Sequence, residues 1–597
     1  MLHHHKEHEM TDLMHDFLKS DRPHIAQITN HGYAGVDIPV GGAPDTGGQN
    51  FYVNSLSTTL SEMGYRVTIF ARGGFPFFNS NRMRGEPEFL NPNVRYVYIP
   101  RGPAEFIRKE DIAEVLEEET DWLENFIHKE ASDAGVDPWN LFEYVNTHYW
   151  DAAVLGYRLV ERWQNEFAAR VVHSAWGHKL GDFLPRPGSS EIHRMNFSKE
   201  LPLCLGEALL GAFRASHEGR PFRLKPDTFS KDAVEIISWL ADYEGCDLEV
   251  EEPGNMKGTA VEIIEKLLIM KLGGFIVEGI ETHHFSFQNI LESLDRHLWT
   301  PHSLGILKER NFWNKEYEIK RKLKFLERGH HEQVACDRTR FFAATSSEIA
   351  EGLLSHHSVK PGSIFFFPPC IDTKLFRERS AEELSDLYFY LAEKSGLDVE
   401  RIKRSPIVFE TSRMDRTKRK DVLLESFAQV ASQTEEPLLF IGGGPENDVF
   451  RELEDVHSRH PELKGRAFLL GFVPDEMLAP AFSAATIFVS ASEMEGFGMS
   501  ISQAAAAGKA VVSSDLIPFT VEYAPDVAVI VKAGDVNAFA GAMIDLLKNT
   551  DDRKKRAAEL KKIASSLDWK NTADRMHGWL RRRKIPVSDV KQVFQKD

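Results

Sequence analysis

A chain of 597 residues exceeds what one hydrophobic core organises, so two or more domains are expected. Its 42% hydrophobic and 27% charged residues are those of a globular protein, which excludes a disordered or fibrous chain. A formal net charge of -18 argues against a general binder of nucleic acid or of anionic membranes, since both need a basic face, and leaves room only for a local basic pocket for a phosphorylated ligand.

Residues 1–20 read as an N-terminal tail without the apolar core of a signal peptide. His3, His4 and His5 could bind a metal weakly, but a solvated tail is the simpler reading. Ile25-Ala26-Gln27-Ile28 is a short apolar run, followed by a Gly-rich stretch from Gly32 to Gly48. Tyr52, Leu56 and Leu60 then share one helical face, Gly64 ends the helix, and Arg66–Phe70 is the next strand. Val94–Ile99 and Tyr144–Asn146 continue the series. Short buried strands alternating with helices predict a parallel α/β sheet.

From about residue 162 to 298 the sequence reads as a helix-rich insertion, broken at Pro185–Gly188 and Glu251–Gly254. Its Thr282-His283-His284 could suggest a metal site, although a His pair without Cys or carboxylate spacing is more often structural. Arg377–Arg404 is charged and reads as the start of a second half plus an irregular insertion. Strands are then predicted at Ile407–Phe409, Leu438–Ile441, Ala467–Leu470, Ile487–Val489 and Ala510–Val512, with a helical pattern over Val422–Val430. The organisation is therefore an N-terminal domain over 21–375, a second α/β domain over 376–560 and a C-terminal helical segment over 561–597. Two open α/β halves place a ligand at the strand carboxyl ends, between the domains. Cys204, Cys246, Cys336 and Cys370 form no C-x-x-C pair, and no stretch is long and apolar enough to span a bilayer. A reducing, cytoplasmic setting without membrane insertion follows as an expectation, with a homo-oligomer left open.

Three loops carry residue types suited to an anionic ligand. Pro44-Asp45-Thr46-Gly47-Gly48-Gln49 precedes a helix, where glycines let backbone N–H groups approach a negative charge; a tight turn would use the same residues. Ser412-Arg413-Met414-Asp415-Arg416-Thr417-Lys418 follows a strand, so Arg413 and Lys418 could face a departing diphosphate, or form a solvated basic turn with Arg419 and Lys420. Glu493-Met494-Glu495-Gly496-Phe497-Gly498-Met499-Ser500 opens a helix that reaches Gly508 and carries Gln503. There the N–H groups suit a diphosphate, Glu495 a sugar hydroxyl and Gln503 a ribose; a glycine-capped helix with an acidic loop is the plain alternative. Thr147-His148-Tyr149-Trp150-Asp151 sets a carboxylate beside aromatic faces, as sugar sites do, and Thr300-Pro301-His302-Ser303-Leu304-Gly305 adds a second histidine.

In that order, together with His31-Gly32-Tyr33 and Ile99-Pro100, these segments resemble family 4 of the retaining glycosyltransferases, in its sucrose-phosphate and mannosylfructose-phosphate synthase branch. The resemblance covers roughly residues 22–160 and 299–545. It implies a GT-B fold of two facing Rossmann-like domains, a nucleotide-sugar (UDP-, GDP- or ADP-hexose) as co-substrate, and no metal or other cofactor. It further implies that Gly47, Gly48, Arg413, Lys418, Glu495, Gly496, Phe497, Gly498, Met499 and Gln503 bind the donor. Gln49, Tyr149, Asp151, His302 and Arg328 would bind a small sugar or sugar-phosphate acceptor. His302, Glu495, Arg413, Lys418 and Asp151 would carry catalysis. His173-Ser174-Ala175-Trp176-Gly177 is a rival for the His302 motif.

Four features depart from the family pattern. Gln503 stands eight positions after Glu495, where a second carboxylate is usual; Cys370 follows Pro368-Pro369 where glycine is usual; and Leu516-Ile517-Pro518 replaces a Gly-Gly-Pro loop. Glu105 stands where a lysine for an acceptor phosphate can occur, which weakens fructose 6-phosphate as acceptor. The readings are an active hexosyltransferase, a weakened homologue that binds sugar nucleotides as a regulatory or partner subunit, and a synthase of the sucrose-cleaving type run in reverse, which differs from the first only in direction.

Overall fold

The computed structural model describes residues 2–39, 43–183, 250–252, 255–256, 294–310, 321–444, 446–585 and 587–588. The predicted α/β alternation is present twice. In the first half, β1 (His24–Thr29), β2 (Arg66–Arg72), β3 (Glu88–Asn91), β4 (Val94–Ile99) and β5 (Val145–His148) lie in one sheet. A small antiparallel hairpin, β6 (Val250–Glu252) with β7 (Asn255–Met256), is separate. β8 (His297–Thr300), β9 (Phe341–Ala344) and β10 (Ile364–Phe366) complete the first sheet in the order β10-β9-β8-β5-β1-β2-β4-β3. Only β3 runs antiparallel to its neighbour. The second sheet contains β11 (Ile407–Thr411), β12 (Leu438–Gly442), β13 (Ala467–Gly471), β14 (Ile487–Ser490), β15 (Ala510–Ser514) and β16 (Val529–Val531), in the order β13-β12-β11-β14-β15-β16, all parallel. β1, β4 and β12 are buried at every residue, as strands covered by helices on both faces must be.

Several elements differ from the sequence reading. Residues 2–19 form a helix rather than a bare tail, and Phe17 is buried with its ring edge-on to His24 and Phe89. The 377–404 stretch is not irregular: it holds two helices, Ser385–Ser395 and Val399–Arg404. Leu387 and Leu391, four apart, bury one face of the first, while the Asp398 carboxylate caps the second by accepting from Glu400 N at 2.9 Å. The reading of an insertion from 162 begins inside one continuous helix, Tyr149–Phe183, and its far limit falls within β8. The His283-His284 pair lies outside the described residues. His173–Gly177 falls in the Tyr149–Phe183 helix, past the residues whose side chains are described.

β8 escaped notice because a polar residue opens it. His297 is buried, its Nε2 lies 2.7 Å from Thr147 Oγ1, and burial pushes its pKa down to about 3. A neutral, hydrogen-bonded imidazole then behaves as a core residue.

The C-terminal helix Trp569–Arg582 crosses back onto the N-terminal half. Trp569, Ala573, Met576 and Leu580 recur at three- and four-residue spacing and join the buried cluster of Tyr52, Leu56 and Leu60. Tyr144 Oη and His577 Nε2 meet at 2.9 Å inside that contact. Each large apolar side chain so buried contributes about 1.5–3 kcal/mol, enough for the crossover to tie the halves together. A second link is the 2.8 Å hydrogen bond from Ser347 Oγ to Glu522 Oε2. Among the described residues, no helix is long and apolar enough to cross a membrane.

Candidate active site between the two sheets

Strand order locates the site before any side chain is considered. In the first sheet β1 sits between β5 and β2, so successive connections leave it in opposite directions; in the second sheet β11 sits likewise between β12 and β14. A crevice opens outside the strand carboxyl ends at each such reversal. The first crevice receives the residues after β1, β5 and β8, whose ends align because Thr29 pairs with His148 and His148 with Thr300. The second receives the loops after β11 and β14, which contain Arg413–Lys418 and Glu493–Gly498.

On the first wall, His31 Nδ1 faces both oxygens of Asp151 at 3.0 and 3.1 Å, with Asp151 fully buried. Burial opposes the charged imidazole, but Asp151 outweighs it and the His31 pKa is raised. His148 and His302 form a second pair, Nδ1 to Nε2 at 3.0 Å, and His148 Nε2 lies 2.7 Å from Gln27 Oε1. Burial, then the neighbouring His302, lowers the His148 pKa; burial, then His31, pushes His302 down to about 3. Both rings are neutral, so His302 is a hydrogen-bonding group rather than a cation.

Tyr149 starts the helix after β5 with φ at 77°, a backbone region that non-glycine residues enter only under constraint. Its hydroxyl accepts from Arg328 Nη1 at 2.6 Å and from Lys308 Nζ at 3.1 Å. Burial alone would raise its pKa, yet Arg328, Lys308 and His31 together lower it to about 7. Arg328 is itself buried and spends its other donors within the protein: Nε on Glu332 Oε1 at 2.8 Å, Nη2 on Ser303 O at 2.8 Å and on Ser303 Oγ at 3.1 Å. It therefore orders this wall of the crevice instead of projecting from it. Glu332, which no motif flagged, accepts from Gly305 N at 2.8 and 3.0 Å and so pins the His302 loop to the Phe325–Arg338 helix. The only sequence signal for it was a carboxylate one turn after Arg328.

The glycine loop is held from below. Gly32 has φ at 78°, and a Cβ there would fall 2.5 Å from Asp45 O, so only glycine permits the two strands of the loop to touch. The Asp45 carboxylate pairs with Lys109 Nζ and accepts from Lys109 N at 3.0 Å. Burial works against it, but Lys109 holds the Asp45 pKa below its usual value. Asn50 Oδ1 accepts from Gly47 N at 3.1 Å, Gly47 being the cap of the Gly48–Glu62 helix. Around Gly47 nothing occupies the space of a side chain, and a methyl on Gly48 would stand 3.5 Å from Met499 Sδ of the other domain. Gln49 Nε2 donates to Thr29 Oγ1 at 3.1 Å, beneath the same opening. Glu105 is exposed, and its carbonyl accepts from Arg72 Nη1 at 3.0 Å.

On the second wall, Asp415 Oδ1 accepts from Thr417 N at 2.8 Å, and Thr417 O accepts from Glu493 N at 2.8 Å. The two loops are thereby stitched together, and Lys418 Nζ reaches Glu495 Oε1 at 2.6 Å and Met494 O at 3.2 Å. Arg413 is exposed, with no side-chain hydrogen bond among the described residues. The solvated-turn reading fails for Lys420, which is buried and donates to Glu410 Oε2 at 2.8 Å and to Gly442 O at 2.6 Å, locking β11 to β12. Gly498 has φ at 100° and caps the Met499–Ala506 helix, with Met499 at its first position. Gly496 is open to solvent on its side-chain face. Phe497 points away from the cleft and packs on Phe519 and Tyr523, so only its backbone is offered there. Gln503 is half-buried in the second turn of the helix.

The structure thus gathers Asp151, His302, Tyr149 and Arg328 on one wall and Lys418, Glu495 and Gly498 on the other, with Gly48 and Met499 meeting between them. Among the described residues, no group of three or more His, Cys, Asp or Glu side chains could hold a metal ion. A cleft between two Rossmann-like sheets, lined by two helix amino ends, defines a GT-B protein. Residues 405–549 match the family model described as "Glycosyl transferases group 1". Over 226 residues the chain is 32% identical to mannosylfructose-phosphate synthase of Agrobacterium fabrum, covering 37% of this chain and 42% of the relative. A D-inositol 3-phosphate glycosyltransferase of Corynebacterium kroppenstedtii is 29% identical over 143 residues, 24% of this chain and 28% of the relative. The chain therefore matches less than half the length of these curated relatives. Among solved structures, sucrose-phosphate synthase from Thermosynechococcus elongatus superposes with a TM-score of 0.56 at 19% identity, over 96% of this chain and 100% of that one, a likeness of fold.

Proposed function

We propose that the chain is a retaining hexosyltransferase that moves a sugar from a nucleotide-sugar to a small sugar or sugar-phosphate acceptor, in a cytoplasmic setting. The observation that carries this reading is the approach of two helix amino ends, at Gly48 and Met499, across the cleft beside the Lys418–Glu495 pair. Helix amino ends and fixed cations favour the negative charge that a departing nucleoside diphosphate develops. In this reading the domains are 21–375 on the acceptor side and 376–560 on the donor side, with the 561–597 segment returning to the first.

The donor diphosphate would lie against the backbone N–H groups of Gly47, Gly48, Gly498 and Met499, with Lys418 and Arg413 supplying positive charge. Glu495 would accept from the sugar hydroxyls. Because Lys418 and Glu495 already hold each other, donor entry reuses a preformed pair, and little reorganisation is left for the reaction step. Gln503 can hydrogen-bond a ribose but adds no charge to that grip. On the acceptor side Asp151 is occupied by His31, and His302 is neutral. That arrangement suits positioning better than attack by a protein carboxylate. The acceptor oxygen bonds to the anomeric carbon on the face the diphosphate leaves, the old glycosyl–phosphate bond breaks, and the departing phosphate takes the acceptor proton.

The names of the relatives, mannosylfructose-phosphate synthase and D-inositol 3-phosphate glycosyltransferase, each carry a phosphorylated sugar or polyol, which favours a phosphorylated acceptor here. The test is incubation with UDP-, GDP- and ADP-hexoses and a pool of sugars and sugar phosphates, read by mass spectrometry. A new glycoside with retained anomeric configuration is expected. Binding of the nucleotide-sugar without turnover would favour the regulatory-subunit reading, and absence of binding would sink both.

A further inference from the structure

Core membership marks where the chain changes halves. Phe367 and Cys370 are buried with the first half and Ile371 with the second; on the return, Leu567 is buried with the second half and Trp569 with the first. The outgoing and returning passages are bonded to each other, Ile371 N donating to Leu567 O at 3.0 Å.

One ring stands against both passages and against the cleft. Tyr52, 1% exposed, lies in the second turn of the Gly48–Glu62 helix. Its hydroxyl donates to Phe367 O at 3.2 Å, and burial above all holds its pKa well above the usual value, which keeps it a donor. Trp569 meets Tyr52 edge-on with ring centroids 4.9 Å apart, and Phe367 lies 5.8 Å from Tyr52 and 6.0 Å from Trp569. The same Tyr52 ring meets His302 edge-on, also at 4.9 Å. In edge-to-face contacts of this kind the positive rim of one ring meets the negative face of the other, so they fix orientation as well as distance.

His302 is only partly buried, so its placement depends on the rings that touch it. It stacks on His148 at 5.3 Å, and His148 is fixed within the first half by Gln27 Oε1 at 2.7 Å. Tyr52 is the second ring against it, and it is backed by both passages. Interiors pack as densely as molecular crystals, so a shift of Trp569 is handed on through Tyr52 rather than absorbed.

We propose that Trp569 is a positioning residue for His302, acting through Tyr52. Docking of the C-terminal crossover thereby does more than join the halves: it sets a histidine of the cleft. The consequence for catalysis rests on the hexosyl transfer proposed above, since a displaced His302 would hold the acceptor out of line with the anomeric carbon, and misalignment slows a reaction that depends on positioning.

The test compares two tryptophans of the same helix in the full chain. Trp569 and Trp579 are each 7% exposed, but Trp579 packs on Phe341 and Phe365, both at 5.7 Å. The first readout needs no substrate: carbethoxylation of His302 by diethyl pyrocarbonate, followed by peptide mass spectrometry. Trp569→Leu should speed it about two- to tenfold, the range that loss of one edge-to-face contact supports. Trp569→Phe should stay near wild type, and Trp579→Leu should leave the His302 rate unchanged although it lowers Tm comparably. Tyr52→Leu should reproduce the effect of Trp569→Leu, which keeps the test decisive if the latter does not fold; circular dichroism identifies the folded variants. The second readout is kinetic: Trp569→Leu should lower kcat/KM for the acceptor by the same factor and leave the KM for the nucleotide-sugar unchanged. The proposal is overturned if His302 reacts at the wild-type rate in folded Trp569→Leu or Tyr52→Leu, if Trp579→Leu accelerates it equally, or if transfer is unchanged while His302 is accelerated. A wild type that transfers no hexose would refute the proposed function instead, and the carbethoxylation series would still decide the positioning.

Discussion

Tyr149 should ionise near neutral pH. Its hydroxyl, ordinarily near 10, is lowered to about 7 because Arg328 and Lys308, at 2.6 and 3.1 Å, outweigh the effect of burial, with His31 adding to them. A displacement of three units corresponds to about 4 kcal/mol favouring the phenolate, at about 1.4 kcal/mol per unit. Two cations at such distances can supply it, since one pair about 4 Å apart is worth about 4 kcal/mol at an intermediate dielectric. The assay is a pH titration of tyrosinate absorbance. Wild type should show one tyrosine ionising near 7, Tyr149→Phe should lack that step, and Lys308→Met should move it upward. Arg328→Gln should move it further, to or beyond the ordinary value, because burial is then less opposed. The group's folded pKa is depressed, so its stabilising contribution is full above about 10 and is lost as pH falls through 7. His31 has the opposite sign: its pKa is raised, so its contribution is present below 6.5 and is lost as pH rises through the folded value. No tyrosine ionising below the ordinary range, or a near-neutral step that persists in Tyr149→Phe, would refute the reasoning.

The proposed donor role of the Lys418–Glu495 wall predicts sharper losses of activity. Lys418→Ala and Glu495→Ala should each reduce transfer about 10²–10³-fold, the effect of removing one preorganised charge-stabilising group, with Tm changed by only a few degrees; near-wild-type turnover in either would remove these residues from the site. Two glycines should separate folding from function. Gly48→Ala meets only Met499 Sδ at 3.5 Å, so it should fold normally yet raise the KM for the nucleotide-sugar. Gly498→Ala combines φ at 100° with a Cβ 2.5 Å from Ile517 Cγ2, and should cost about 1–3 kcal/mol or more, read as a lowered Tm. Deleting residues 569–597 should expose the Tyr52, Leu56 and Leu60 face and yield aggregated protein; a monodisperse, active truncation would show that the crossover is dispensable.

The sequence by itself determined the alternation of short apolar strands and amphipathic helices, because both signals are local: a continuous run marks a strand covered on two faces, and a 3.6-residue period marks a helix. It also determined which loops follow strands, and hence that Gly47–Gly48, Arg413–Lys418 and Glu495–Gly498 stand at carboxyl ends. Tertiary structure alone decided which residues meet. His31 finds Asp151 across 120 positions because β1 and β5 pair in register. Arg328 spends its donors on Tyr149, Ser303 and Glu332, so a basic residue that the resemblance assigned to the acceptor is turned inward to order the wall. Phe497, inside the donor motif, belongs to the hydrophobic core, and Lys420, inside a basic turn, is buried on Glu410. The landing of the C-terminal helix was invisible for the same reason. Charge and apolarity are properties of residues, whereas a site is made by segments hundreds of positions apart that strand order and register bring within a few ångströms.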